Sequence, residues 1–205
     1  MRKLLKIFGI IFLSCFFIIV ILLVILFVRA KSWKSSFESN IEEGYLVSSV
    51  SESNDFLNEK IEGYIISNES VDFIEFSPLE ISQSLYNMIF QMITDTGIDL
   101  LNIYSEPGED LWKECILLRL NDSENLKFWV CMDVTKDNMQ TAQLYVNNIT
   151  VNGLDIDRLY PAILTKVNQG MAEALVTANE NAFVGRMLDN IELKQDRLII
   201  KGSQY

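Results

Sequence analysis

LWKECILLRLNDSENLKFWVCMDV, residues 111–134, is two alternating runs around a polar break. Apolar, aromatic and β-branched residues recur at period two in both halves, the pattern of half-buried strands. The break Asn-Asp-Ser-Glu-Asn is far too short for a crossover, so the strands are antiparallel neighbours. If the hairpin closes symmetrically about Ser123, residues equidistant from it pair. Ile116, Leu118 and Leu120 then share a face with Leu126, Phe128 and Val130. Cys115 and Cys131 stand directly opposite each other on the other face, near Trp129. That pair is either a disulfide or two reduced thiols. An oxidising compartment favours the bridge, while directly cross-strand bridges are often strained.

Outward from this hairpin the same pattern continues. IDLLNIY precedes it and TAQLYVNNITV follows it, separated by the turn-like groups EPGED and TKDNM. Residues 142, 144 and 146 are apolar, and the apolar phase then moves to 149 and 151. One face cannot hold both phases without an extra residue, which predicts a β-bulge at Asn147-Asn148. VDFIEF is a further strand and runs straight into SPLE. Ser77 caps a helix, Pro78 suits its first position and Glu80 completes a capping box. The helix places Ile81, Leu85, Met88, Ile89 and Met92 on one stripe and ends near Thr96-Gly97.

A second helix is expected after VNGLDI, with Asp157 as cap and Pro161 in the first turn, where no intrahelical donor is lost. Tyr160, Ile163, Leu164, Val167, Met171 and Leu175 recur at helical spacing. Gly170 and Ala174 leave one edge of it without side-chain bulk, which close approach of a sheet or a ligand would explain. NIELKQDRLIIKG ends the chain as two short strand-like pieces.

Residues 7–28 contain no charge over 22 positions, IFGIIFLSCFFIIVILLVILFV. At about 1.5 Å per residue such a run spans a hydrocarbon core of roughly 30 Å. It is longer than a signal-peptide core and lacks a small-x-small cleavage site, so an uncleaved anchor is expected. Arg2, Lys3 and Lys6 before it balance Arg29, Lys31 and Lys34 after it, so the flanking charges do not orient it. The short basic tail reads as a signal-anchor, with the N-terminus cytoplasmic and the remainder extracytoplasmic. Three parts follow: tail and anchor at 1–34, a Ser-rich polar stalk with a short helix at 35–66, and an α+β domain at 67–205.

All 28 acidic residues lie beyond residue 34, with 11 of the 17 basic ones, so 35–205 carries a net charge of −17. That field repels nucleic acid and anionic headgroups, and suits a cationic partner or simple solubility. The chain has no His. This removes the commonest general base, the usual triads and most zinc sites. EPGED, NDSEN and DIDRL lack the ligand spacing of a calcium loop and read as solvated turns. Asp155 and Asp157, ahead of a helix, read as capping and dipole partners rather than as an acid–base pair. Asn68, Asn121 and Asn148 begin glycosylation sequons, which matter only in a glycosylating host. No catalytic set, metal site or cofactor is expected.

FSPLEISQSLYNMI, YVNNITVNGLDI and DNIELKQDRLIIKG, set behind a basic tail and a single span, resemble the YpmS-like family of membrane-anchored bacterial envelope proteins. More distantly the order of pieces is similar to LmeA-type lipid-binding proteins. Where such families carry Asp-Gly in the final hairpin, this chain has Gln195-Asp196. The resemblance implies a TULIP-like half-module, a curved antiparallel sheet cradling a long helix with lipid between them. The residues expected to line that groove are Met88, Met92, Val167, Gly170, Met171 and Ala174. Their bland reading is core, the Met side chains filling irregular gaps. Two functions stand open: a non-catalytic domain binding a lipid or other elongated apolar ligand, or an envelope scaffold with a filled core that recruits a protein partner.

Overall fold

A computed structural model describes residues 2–50, 55–68, 71–120, 126–136, 141–181 and 186–204; for 2–17, 55–58, 71, 178, 179 and 181 the description is of the backbone alone. The chain divides into two units, Met1–Asn40 and Ile41–Tyr205.

The first unit is one helix, α1 (Arg2–Ser39). Its 38 residues measure about 57 Å at 1.5 Å each. The Trp33 and Phe37 rings stack at 4.8 Å, and Lys34 pairs with Glu38 at 3.8 Å. The helix therefore runs on through the boundary expected at 34/35. Among the described residues no helix is long and apolar enough to cross a membrane. The expected span at 7–28 begins within residues 2–17, whose side chains lie outside the description.

The second unit opens with a 3-10 turn (Glu43–Tyr45), β1 (Leu46–Val47), α2 (Asp55–Ile66), β2 (Val71–Phe76) and α3 (Pro78–Ile93). The strands β3 (Ile98–Glu106), β4 (Leu111–Leu120), β5 (Lys127–Thr135), β6 (Tyr145–Val151) and β7 (Leu154–Asp155) follow. The chain closes with α4 (Ile156–Leu159), α5 (Ala162–Asn181), β8 (Arg186–Leu193) and β9 (Leu198–Gln204). The architecture is α+β with antiparallel pairing throughout the described strands. The stretch read as a stalk contributes β1, which pairs with β3, so order reaches back to residue 46.

The β4–β5 hairpin has the register symmetric about Ser123, with Cys115 opposite Cys131 and Ile116 opposite Val130. The two cysteines are joined as a disulfide and buried. The bulge falls at Asn147: Asp133 pairs with Asn148 and Val134 with Val146, so Val146 and Ile149 are both buried on one face. A second irregularity, at Leu101, lies in β3.

One curved sheet was expected; there are two. Six strands order as β1-β3-β4-β5-β6-β7, and β2-β9-β8 form a separate sheet. β2 pairs with the last strand, Val71 opposite Ser203, a partnership across the whole domain that no local pattern announces. Trp112 links the sheets: its indole donates to the Lys194 carbonyl at 2.8 Å, and it joins the core of Tyr64, Ile74, Phe76, Leu188, Ile191, Leu193 and Leu198. At the other end of β8 the fully buried Arg186 lies 4.8 Å over the Tyr64 ring and donates to the Ser67 carbonyl at 2.9 Å.

α3 starts as its cap predicts, with Ser77 accepting from the Glu80 amide and the Glu80 carboxylate accepting from the Ser77 amide. Its packed face differs from the expected stripe. Pro78, Ser82 and Tyr86 are buried against β1 and β3, with Leu85, Ile89 and Ile93 beside them, while Met88 and Met92 are turned to the flank. The second helix is broken in two. Asp157 lies inside α4, Asp155 is its cap position without a side-chain cap bond, and α5 restarts only after Pro161. The cause is steric: the residue before a proline is driven from helical geometry, and Tyr160 has φ −138° and ψ 77°.

Candidate functional site: an apolar strip with a buried carboxyl beside it

The bulge gives β6 a single apolar phase on the face that also carries Trp112, Ile116 and Leu118 of β4 and Phe128, Val130, Met132 and Val134 of β5. α3 covers this face over β1 and β3, while α5 packs on β6 and β8. At one end the helices converge, since Ile81 of α3 and Leu175 of α5 both pack against the core that holds Trp112, with Val134 beside them. Away from that end the strands between them are only half covered. Ile116, Leu118, Phe128, Val130, Met132 and Val151 are all half-buried, although Ile103 under α3 and Ile149 near α5 are buried. The result is a partly buried apolar strip on β4 and β5 between the two helices.

α5 is held at the rim by one side chain. The Asn168 carboxamide accepts from the Val146 amide at 2.7 Å and donates to the Val146 carbonyl at 2.9 Å. Those backbone groups lie beside the bulge, where β6 has no further strand partner among the described residues, since β7 pairs only with Thr150 and Val151. An amide side chain offers one donor and one acceptor in a fork, which matches this exposed backbone pair.

The six expected groove residues are therefore distributed along two walls rather than joined in one cavity. Met88 and Met92 are 51% and 64% exposed on the flank of α3 that also bears Ile81. Val167 and Met171 are half-buried on the sheet-facing side of α5. Gly170 and Ala174 are exposed, about 200° and 240° round the helix from Asn168 at 100° per residue, and so turn away from the β6 edge. The close approach expected at Gly170 is absent: a Cβ there would meet open space. Among the described residues, clefts of about 400 Å³ at the C-terminal end of α3 and about 420 Å³ beside Lys60 and Glu80 contain none of the six.

One polar group interrupts the apolar face. Glu114 of β4 pairs in register with Ser105 of β3 and is 6% exposed. The Ser105 hydroxyl donates to Glu114 Oε2 at 2.6 Å, and the Ser82 and Ser105 hydroxyls lie 2.5 Å apart. Both serines are fully buried, and their small side chains let α3 approach β3 closely. Burial pushes the Glu114 carboxyl up to about 7, the Ser105 hydroxyl pulling only partly against it. A sealed serine cannot reach a substrate, so this chain is a hydrogen-bonded relay in the wall rather than a nucleophile with its base. The signal for it was in the alternation, which places an acid in phase with Trp112, Ile116 and Leu118.

No family model, curated protein or solved structure matches the chain.

Among the described residues no group of acids and cysteines is arranged to hold a metal ion.

Proposed function

We propose that this chain is a single-span, non-catalytic protein of the bacterial cell envelope, of the YpmS-like kind. In this reading residues 7–28 are the membrane span, the N-terminus is cytoplasmic, and the disulfide-bonded domain lies outside and holds a lipid or other elongated apolar ligand. The observation that carries the reading is the partly buried apolar strip of β4 and β5 between α3 and α5, with Met88 and Met92 exposed on the flank of α3. Apolar rows at the centre of a sheet are normally covered, and a strip that the helices leave partly uncovered is where an elongated apolar ligand would lie. Methionine at the rim adapts to chains of irregular shape. The Cys115–Cys131 bridge supports an oxidising compartment. The scaffold reading, which needs a filled core, is served less well by an apolar strip left partly uncovered.

The test is native mass spectrometry of the full chain extracted in mild detergent. The wild type is expected to retain a lipid-sized adduct, and Met132→Trp, which adds bulk at a partly buried position of the strip, to lose it with the domain still folded. A wild type without an adduct, or a Trp variant that keeps it, would refute the groove and return the scaffold reading to first place.

A further inference from the structure

Where α3 stops, a cleft of about 400 Å³ opens between the last turn of the helix and the start of β3. Phe90, Ile93, Ile98 and Leu101 supply its apolar lining, and Asp95 and Asp99 line it as acids. Local chemistry fixes this end of the helix. The Thr94 amide and hydroxyl both donate to the Phe90 carbonyl, and those of Thr96 both donate to the Ile93 carbonyl. The chain then reverses through left-handed backbone at Asp95 (φ 70°) and Gly97 (φ 76°). Phe90 is 45% exposed, and its ring stacks on Tyr86 at 6.3 Å, so a fixed aromatic surface is left bare.

Charge selects the occupant. The C-terminal end of a helix carries partial negative charge, and α3 has no basic residue in its last turn to offset it. Arg119, the cation of the lining, is committed to Asp99 at 2.9 Å. Asp95 is exposed and has no ion pair among the described residues. The cleft is therefore apolar and negative together. A second copy of the chain would bring a further −17 over residues 35–205, and an anionic bilayer brings like charge, so neither suits it. A bare cation gains little from exposed acids, and an uncharged apolar segment would strip water from Asp95 without replacing it. A segment carrying both kinds of side chain meets both halves of the lining.

We infer that this cleft docks a protein partner through a segment that mixes Lys or Arg with large apolar side chains. It does so whether or not the strip on β4 and β5 holds a lipid. The test is fluorescence anisotropy with the full chain in phosphatidylcholine nanodiscs, empty nanodiscs serving as the blank. The probes are the fluorescein-labelled peptide Lys-Leu-Lys-Leu-Leu-Lys, its counterpart with Glu for every Lys, and its counterpart with Ser for every Leu. The Lys/Leu peptide is expected to bind about tenfold tighter than either counterpart. Asp95→Asn, whose side chain tolerates left-handed backbone, should weaken it about threefold, and Phe90→Ser about tenfold. Glu173→Gln removes an exposed charge from α5 and should leave binding unchanged, which separates the cleft from a bulk effect of net charge. The proposal is overturned if the Lys/Leu peptide binds no tighter than either counterpart, or if Glu173→Gln weakens it as much as Asp95→Asn does. It is overturned in favour of another occupant if the full chain alone runs as a dimer, or holds a lipid, that Phe90→Ser releases. The wild-type comparison needs no variant, so a misfolded Phe90→Ser leaves the decision intact.

Discussion

Replacing Glu114 by Gln should change how stability depends on pH, and the size of the change follows from burial. The native carboxyl titrates at about 7, against an ordinary value of 4.5. The folded state thus holds this proton more tightly than the unfolded chain does. The stabilisation is complete below about pH 4.5 and is lost as the pH rises through about 7. At about 1.36 kcal/mol per pH unit the loss amounts to roughly 3 kcal/mol. Gln keeps the shape and both hydrogen-bonding functions but does not titrate. The variant and the wild type should match within about 1 kcal/mol at pH 4, and the variant should be the more stable by up to about 3 kcal/mol at pH 8. The assay is urea unfolding of the full chain in micelles across that range, followed by tryptophan fluorescence, since Trp112 and Trp129 are both buried in the domain. Other carboxylates titrate equally in both proteins and cancel in the difference. A difference that stays flat from pH 4 to pH 8 would mean that Glu114 is solvated, and the account of the buried relay would be wrong.

Three further outcomes are expected. Gly202→Ala should destabilise by about 3 kcal/mol in thermal unfolding, because a Cβ there runs into the Met187 carbonyl and the Tyr64 hydroxyl, and backbone cannot move aside cheaply. Asn168→Ala should cost about 1–2 kcal/mol and speed amide exchange at Val146, whose edge it now caps, with little effect on the β4–β5 hairpin. Alkylation of the unfolded chain without reductant should label Cys15 and leave Cys115 and Cys131 unlabelled; replacing both by Ala should cost about 3 kcal/mol for a loop of this length.

Much of the candidate site was legible before the structure because it is built from local rules. The period of two and the short break around Ser123 set the hairpin register, and the same arithmetic put Cys115 against Cys131. The phase change between Val146 and Ile149 located the bulge, since strand faces alternate without exception. Glu114 was visible as an acid in an apolar phase. Its significance was not, because alternation places a residue on a face and says nothing about what covers that face. α3 shows the same limit: five apolar residues suggested a stripe through Met88 and Met92, while the helix packs through Ser82 and Tyr86. A polar residue wins the buried position there because the Ser105 hydroxyl beneath it accepts a hydrogen bond from Ser82 and in turn donates to Glu114.

By itself, then, the sequence determined the α+β class, the uncharged run at 7–28, the capped start of α3, the hairpin register and the bulge. Each depends on steric or periodic rules that act over a few residues. Only the tertiary structure decided that there are two sheets, that Asn168 pins α5 to the edge of β6, that Gly170 faces open space, and that the apolar residues of β4 and β5 are only partly buried between two helices. Those features depend on contacts between segments far apart in the chain, where burial and hydrogen-bond satisfaction are settled jointly and no single segment carries the answer.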